Sequence, residues 1–235
     1  RLSTGVRAMY GGDAAGYSMG QQTKAVSASY AQATRNIEDG MSLAQQGESV
    51  LLEVANLAQR LRELAITADN AAILDANQEA ALNSEAALIG DTITAVLDKT
   101  DFNSFEVVDS AAQKQYTIAY GSLTANTTEV GPNVSIASQA GITAAAGAES
   151  NADAVLAGVA TGLGNIAADL TALKAFQGAA SSTSANMAAA GARLIDTDFA
   201  LETASLTKNA ILNQAALAMA AQANSAQSSI LSVLQ

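Results

Sequence analysis

Apolar residues recur at steps of three and four along most of this chain, the period of a helix with one buried face. From about Ala14 to Ala68 the pattern is unbroken apart from Gly16, Gly20, Gly40 and Gly47. Within it Leu43, Val50, Val54, Leu57, Leu61, Leu64 and Ala68 fall on one narrow stripe. From Val50 the steps alternate four and three, as in a coiled-coil seam. Glu53, Gln59, Arg60, Arg62 and Glu63 lie between the seam positions and suit water or a neighbouring chain. A break over 69–76 precedes a second helix from about Asn77 to Leu97, with Leu82, Ala86, Ile89, Ile93 and Val96 as its apolar set.

The period then changes. Phe105–Val108, Tyr116–Tyr120 and Val134–Ile136 are short, β-branched or aromatic, and separated by turn-formers, which predicts a small β-hairpin or meander. Gly131-Pro132-Asn133 is the clearest turn, whereas Tyr10-Gly11-Gly12-Asp13 marks an irregular connector near the start. Ile142–Asn151 reads as an Ala/Gly linker. Helical signal resumes near Asp153 and continues to about Ala190, weakened by Gly158, Gly162, Gly164 and Gly178. After Gly191 neither glycine nor proline occurs, so Arg193–Leu234 is a candidate for one very long helix, with a pause at Asp196-Thr197-Asp198. Beyond Glu202 its only ionisable side chain is Lys208. A helix that apolar needs a partner.

The expected fold is therefore mainly α: long antiparallel helices in a coiled-coil-like bundle with a small β insert. The expected segments are 1–12 (remnant of a terminal helix and connector), 13–103 (first half of a helical core) and 104–150 (β-rich insert and linker). They continue with 151–195 (second half of the core) and 196–235 (a terminal helix).

Composition narrows the function. Alanine dominates, and with five Tyr, four Phe and no Trp the aromatics are scarce, which suits closely approaching helices better than a compact sphere. One proline in 235 residues leaves little to stop a helix. A net charge of −11 disfavours nucleic acid and anionic membrane surfaces, which need clustered Lys and Arg. No run of purely apolar residues is long enough to cross a bilayer, so no membrane insertion is expected. Histidine and cysteine are both absent, which removes the commonest general base, metal ligands and thiolate chemistry together. Asp196 and Asp198 are a close carboxylate pair, yet two residues apart on a helix they face different ways and suit capping better than hydrolysis. No EF-hand spacing and no phosphate loop occurs. The reading is no enzyme, no catalytic residue, no cofactor and no metal, in a protein that works by packing against copies of itself.

Several segments resemble a known family. Arg1-Leu-Ser-Thr-Gly5, Asp13-Ala-Ala-Gly16, Ala33-Thr-Arg-Asn36 and Asp39-Gly40 are similar to the N-terminal region of bacterial flagellin. Gln59-Arg-Leu-Arg-Glu-Leu-Ala65 resembles that family's best-known helical motif, and Thr100-Asp-Phe-Asn103 the turn after its second helix. Arg193–Ala200, Lys208–Ala215, Ala221–Asn224 and Ile230–Gln235 resemble its C-terminal region. The likeness covers roughly residues 1–108 and 153–235, and implies a further stretch of terminal helix ahead of Arg1.

The resemblance implies a secreted subunit of the bacterial flagellum, exported unfolded through the flagellar type III apparatus with the help of a chaperone. Copies would then assemble through terminal coiled-coil helices into a filament that drives motility, an open heterologous contact that does not close into a ring. It also implies a partner-binding patch of Arg60, Leu64 and Glu85, matching the residues by which such proteins meet Toll-like receptor 5 and pack in the filament. Read from the residues alone, Arg60, Arg62 and Glu63 make a solvated helix face, and the seam places Leu64 inward. Two alternatives share part of the pattern: a flagellin-like cell-surface protein that captures polysaccharide or a host molecule, and the junction protein between hook and filament.

Overall fold

The computed structural model describes residues 2–7, 13–102, 105–108, 114–118, 126–132, 134 and 136–233. Helices account for most of it. They are α1 (Ala14–Ala68), α2 (Ala76–Lys99), α3 (Glu149–Ile195) and α4 (Phe199–Val233), with a single 3₁₀ turn at Ala71–Ile73. Four short strands fall between α2 and α3: β1 (Asp101–Phe102), β2 (Phe105–Glu106), β3 (Lys114–Ile118) and β4 (Asn126–Val130).

The helix ends have local chemical causes. Asp13 caps α1, its Oδ1 accepting the Gly16 N–H at 2.8 Å. Asp75 caps α2 with a reciprocal box: its Oδ1 takes the N–H groups of Asn77 and Gln78, and the Gln78 side chain accepts the Asp75 N–H. Asp198 caps α4 by accepting from Ala200 and Leu201, so the helical run expected from Arg193 is split, with Arg193–Ile195 closing α3. Asp196 does not share that capping role; its carboxylate takes the Lys24 ammonium at 3.2 Å.

Two compact units are distinguished, one of residues 28–184 and one of 1–27 with 185–235. In the first, α1 runs antiparallel to α2 on one side and to α3 on the other. Arg60 reaches Glu85 across the first pairing; Arg62 meets Asp153, and Glu38 meets Gln177, across the second. Val50, Val54, Leu61, Leu64 and Ala68 of the predicted seam are buried, and Leu57 is partly so. A second line, Leu51, Ala58 and Ala65, is buried too, because α1 has a neighbour on both sides. Val155, Val159, Ile166 and Leu173 supply the α3 face of this core. One window of α3 reaches a mean hydropathy of 1.3 and is long enough to cross a membrane by composition, but these large side chains are spent on the helical core.

The expected small β insert forms between α2 and α3 as two separate antiparallel hairpins, β1 with β2 and β3 with β4, and its strands differ in part from those expected. Asp101–Phe102, expected only to end the second helix, is a strand, whereas Val134 and Ile136 are not in one. The segment carrying those two residues is held by helix side chains instead. Asp169 accepts the Gly131 N–H, Asn165 donates to the Pro132 carbonyl, and Thr94 accepts the Gln139 N–H. Val134 and Ile136 drop into dimples at Gly162 and Gly158, where a Cβ would lie only 2.9 and 3.1 Å from their side chains. The supposed Ala/Gly linker is likewise packed: Ala145 and Ala148 are buried beside Leu61 and Leu64, and Asn83 accepts the Ala145 N–H at 2.7 Å. The expected connector over Tyr10–Gly12, and Tyr120 and Asn133 of the insert, lie outside the described residues.

In the second unit α1 and α3 approach through small residues. A Cβ on Gly20 would overlap Ile195, and one on Gly191 would lie 2.9 Å from Lys24. Leu2–Arg7 runs beside the α3–α4 joint, with Val6 bridged antiparallel to Asp196. Between 199 and 230 every residue of α4 except the half-buried Glu202 is exposed.

Candidate functional site

Arg60 sits on the flank of α1, one position before the seam residue Leu61, so its side chain leaves the helix beside the core. Its Nε and Nη2 both donate to Oε1 of Glu85 on α2, at 3.0 and 2.8 Å, and its Nη1 donates to Glu63 at 3.2 Å. The hydrogen bonds it donates to Glu85 and Glu63 hold the guanidinium even more firmly in its charged form. About half of the Arg60 side chain and 45% of Glu85 remain exposed, so the pair is formed in advance yet open to a partner.

Leu64 does not join them. It is 3% exposed and packs with Ala65, Ala68, Ala86 and Ala145, because the heptad spacing that selects it for the seam turns it from the surface. The face outside the seam offers Leu52 and Ile66, both nearly half exposed. Arg62 pairs with Glu149 at 3.2 Å and Asp153 at 2.9 Å, tying α1 to the start of α3. With Gln59, Glu63, Ile66 and Leu156, Arg62 and Asp153 line a shallow cleft of about 320 Å³. The charged cluster marked Arg62 in the sequence; its partners, some ninety residues away, left no local signal.

The second feature is α4. Leu201, Leu212, Met219 and Ile230 recur at intervals of seven and eleven residues and so share one face, while Phe199, Leu206 and Leu217 share the opposite one. All seven are more than half exposed. Between Glu202 and the end of the helix Lys208 is the only charge. Among the described residues no cluster of acidic side chains is arranged to hold a metal ion.

Fold and surface together define a class: a long-helix structural protein whose chemistry lies in packing surfaces. Comparison with known proteins gives the family. The family model for the N-terminal helical region of bacterial flagellin matches residues 1–113, and that for the C-terminal helical region matches residues 154–234. The flagellin of Halalkalibacterium halodurans is 34% identical over all of this chain and 90% of its own length. That of Bacillus subtilis is 28% identical over all of this chain and 91% of its own, and the flagellar filament 33 kDa core protein of Treponema phagedenis is 28% identical over 100% and 90%. A crystal structure of Bacillus cereus flagellin aligns with 20% identity and a TM-score of 0.40 over 74% of this chain and 94% of that one, and the assignment does not rest on it. The chain belongs to the bacterial flagellin family and is a structural subunit of the flagellar filament, not an enzyme.

Proposed function

We propose that α4 is the element through which this subunit joins the filament, covered on both of its apolar faces by helices of neighbouring copies. The observation that carries the reading is the pair of opposed stripes, Leu201–Leu212–Met219–Ile230 and Phe199–Leu206–Leu217, which touch water in the single chain. A helix with one apolar stripe is satisfied by one neighbour; two opposed stripes need two. The same bareness supports a chaperone that shields α4 before assembly and export through the flagellar type III apparatus to the cell surface. Leu206→Asp and Leu212→Asp, one per stripe, leave the melting temperature of the monomer unchanged. Each abolishes filaments in electron micrographs of cells producing the variant. Filaments of normal length from either variant would refute the two-sided contact.

The Arg60–Glu85 pair supports a second surface. A planar, half-exposed guanidinium held in place by two carboxylates is a ready anchor for a protein partner, and arginine is over-represented among interface residues that carry binding energy. The resemblance points to Toll-like receptor 5, with Arg60, Leu64 and Glu85 as the patch; with Leu64 buried, Arg60 and Glu85 are the contact residues and Leu64 supports the helix from beneath. Arg60→Ala is expected to lower receptor signalling at least tenfold in a reporter cell assay without loss of helicity. A folded Arg60→Ala protein of full potency would remove the receptor from this reading.

A further inference from the structure

The break between α3 and α4 contains no glycine and no proline, and the sequence on either side is strongly helical. The Asp198 cap suits the start of α4, but an aspartate can also sit inside a helix, so the cap alone does not forbid a continuous helix through Asp196, Thr197 and Asp198. In a continuous helix the Ile195 carbonyl would accept the N–H of residue 199, and the Thr197 N–H would reach the carbonyl of residue 193. Here both groups are engaged by the N-terminal segment. Arg7 N–H donates to the Ile195 carbonyl at 2.7 Å, and Thr197 N–H donates to the Gly5 carbonyl at 3.0 Å. The Arg7 guanidinium also donates to the Leu194 carbonyl at 3.2 Å, so two of the carbonyls left open at the end of α3 are taken by one residue. Gly5 makes this approach at φ 67°, a left-handed conformation that other side chains resist, with its Cα side against the Phe199 ring.

A second observation points the same way. The Thr197 hydroxyl is buried without a hydrogen-bond partner. Several threonines within the helices of this chain solve that problem in one way: Thr161, Thr171 and Thr207 donate to the carbonyl four residues back. In a continuous helix Thr197 would do the same. The broken joint thus leaves unmet a polar group that the straight helix would satisfy, and the strap over 5–7 makes up the difference.

We propose that residues 5–7 form a latch that holds the α3–α4 joint open, and that the same sequence has a second state in which α3 and α4 fuse into one helix when the latch is released. The direction of α4 is then decided by a contact from the opposite end of the chain. That the aim of α4 matters for assembly rests on the function proposed above; the two-state joint does not.

The test combines Gly5→Val, which strains the left-handed residue, with Arg7→Pro, which removes the donor to Ile195. It reads the ¹³Cα chemical shifts of residues 196–198 in the full chain by nuclear magnetic resonance. In the parent these shifts are non-helical; on release those of Thr197 and Asp198 move to helical values, and helicity by circular dichroism rises slightly. Adding Asp198→Pro to the released variant restores the non-helical shifts, since proline cannot continue the helix and pushes Thr197 out of it. Should the double variant melt well below the parent, Gly5→Val alone gives the same shift as a partial population. Non-helical shifts at Thr197 in a folded released variant would overturn the latch, because the break would then be set by the local sequence. Helical shifts that persist with Asp198→Pro would overturn the fused helix.

Discussion

α3 and α4 are built from nearly the same ingredients and meet opposite fates. Both are rich in alanine, poor in charge and free of proline. In α3 the large side chains Val155, Val159, Ile166 and Leu173 fall on one side and are buried against α1, and the five glycines divide between a covered face and an open one. In α4 seven large side chains are split between two opposed faces, Ile211 lies between them, and all eight are exposed. Composition alone does not tell a core helix from an assembly helix. The angular distribution of the large residues does: one stripe is completed within the chain, and two stripes require neighbours outside it.

The comparison is broken most directly by placing a carboxylate on each kind of surface. Leu61 is fully buried between α1, α2 and the segment over 142–148. Leu61→Asp strands a charge where no cation waits, at a cost of about 4 kcal/mol or more. Thermal melts of the purified monomer should show Leu61→Asp losing most of its stability, while Leu212→Asp, on the bare helix, stays within about 0.5 kcal/mol of the parent. Equal losses in both would mean that α4 is packed within the single chain.

How much of this was legible in the residues follows from the same contrast. With a single proline and long stretches of regular period, α1 could be bounded at Ala14 and Ala68 by inspection, and the seam through Val54, Leu61 and Leu64 was plain. Leu51, Ala58 and Ala65 were missed as a second buried line because two of the three are alanine, which signals neither face. Val134 and Ile136 looked like a strand because β-branched residues mark any extended backbone. What satisfies that backbone here is Asp169, Asn165 and Thr94, and their separation in sequence hides the arrangement. At the candidate site, Arg60 and Glu85 came from a resemblance and are brought together by the α1–α2 hairpin. Leu64 was placed with them by the motif and against them by the heptad, and in the structure the heptad prevails. Asp196–Asp198 announced a pause in the helix, but nothing local announced that Gly5 and Arg7 hold it.

The finest test lies within α3, which has a covered and an open face of its own. A Cβ on Gly162 would come within 2.8 Å of Leu51 and 2.9 Å of Val134, and all the nearby atoms belong to packed side chains. Gly162→Ala therefore overpacks the core and is expected to cost about 2 kcal/mol, despite the better helix propensity of alanine. Gly164, half a turn further on, faces open space, with nothing within 4 Å of the added atom. There only the backbone term survives: alanine gives the unfolded chain less freedom to lose, so Gly164→Ala should stabilise by about 0.5–1 kcal/mol. Urea denaturation of the two single variants gives both signs in one experiment. Opposite signs confirm that the face of α3 toward Leu51 and Val134 is filled to contact distance. A gain at both positions would show that the dimple at Gly162 has room to spare, and that the segment carrying Val134 is held by Asp169 and Asn165 rather than by the glycine beneath it.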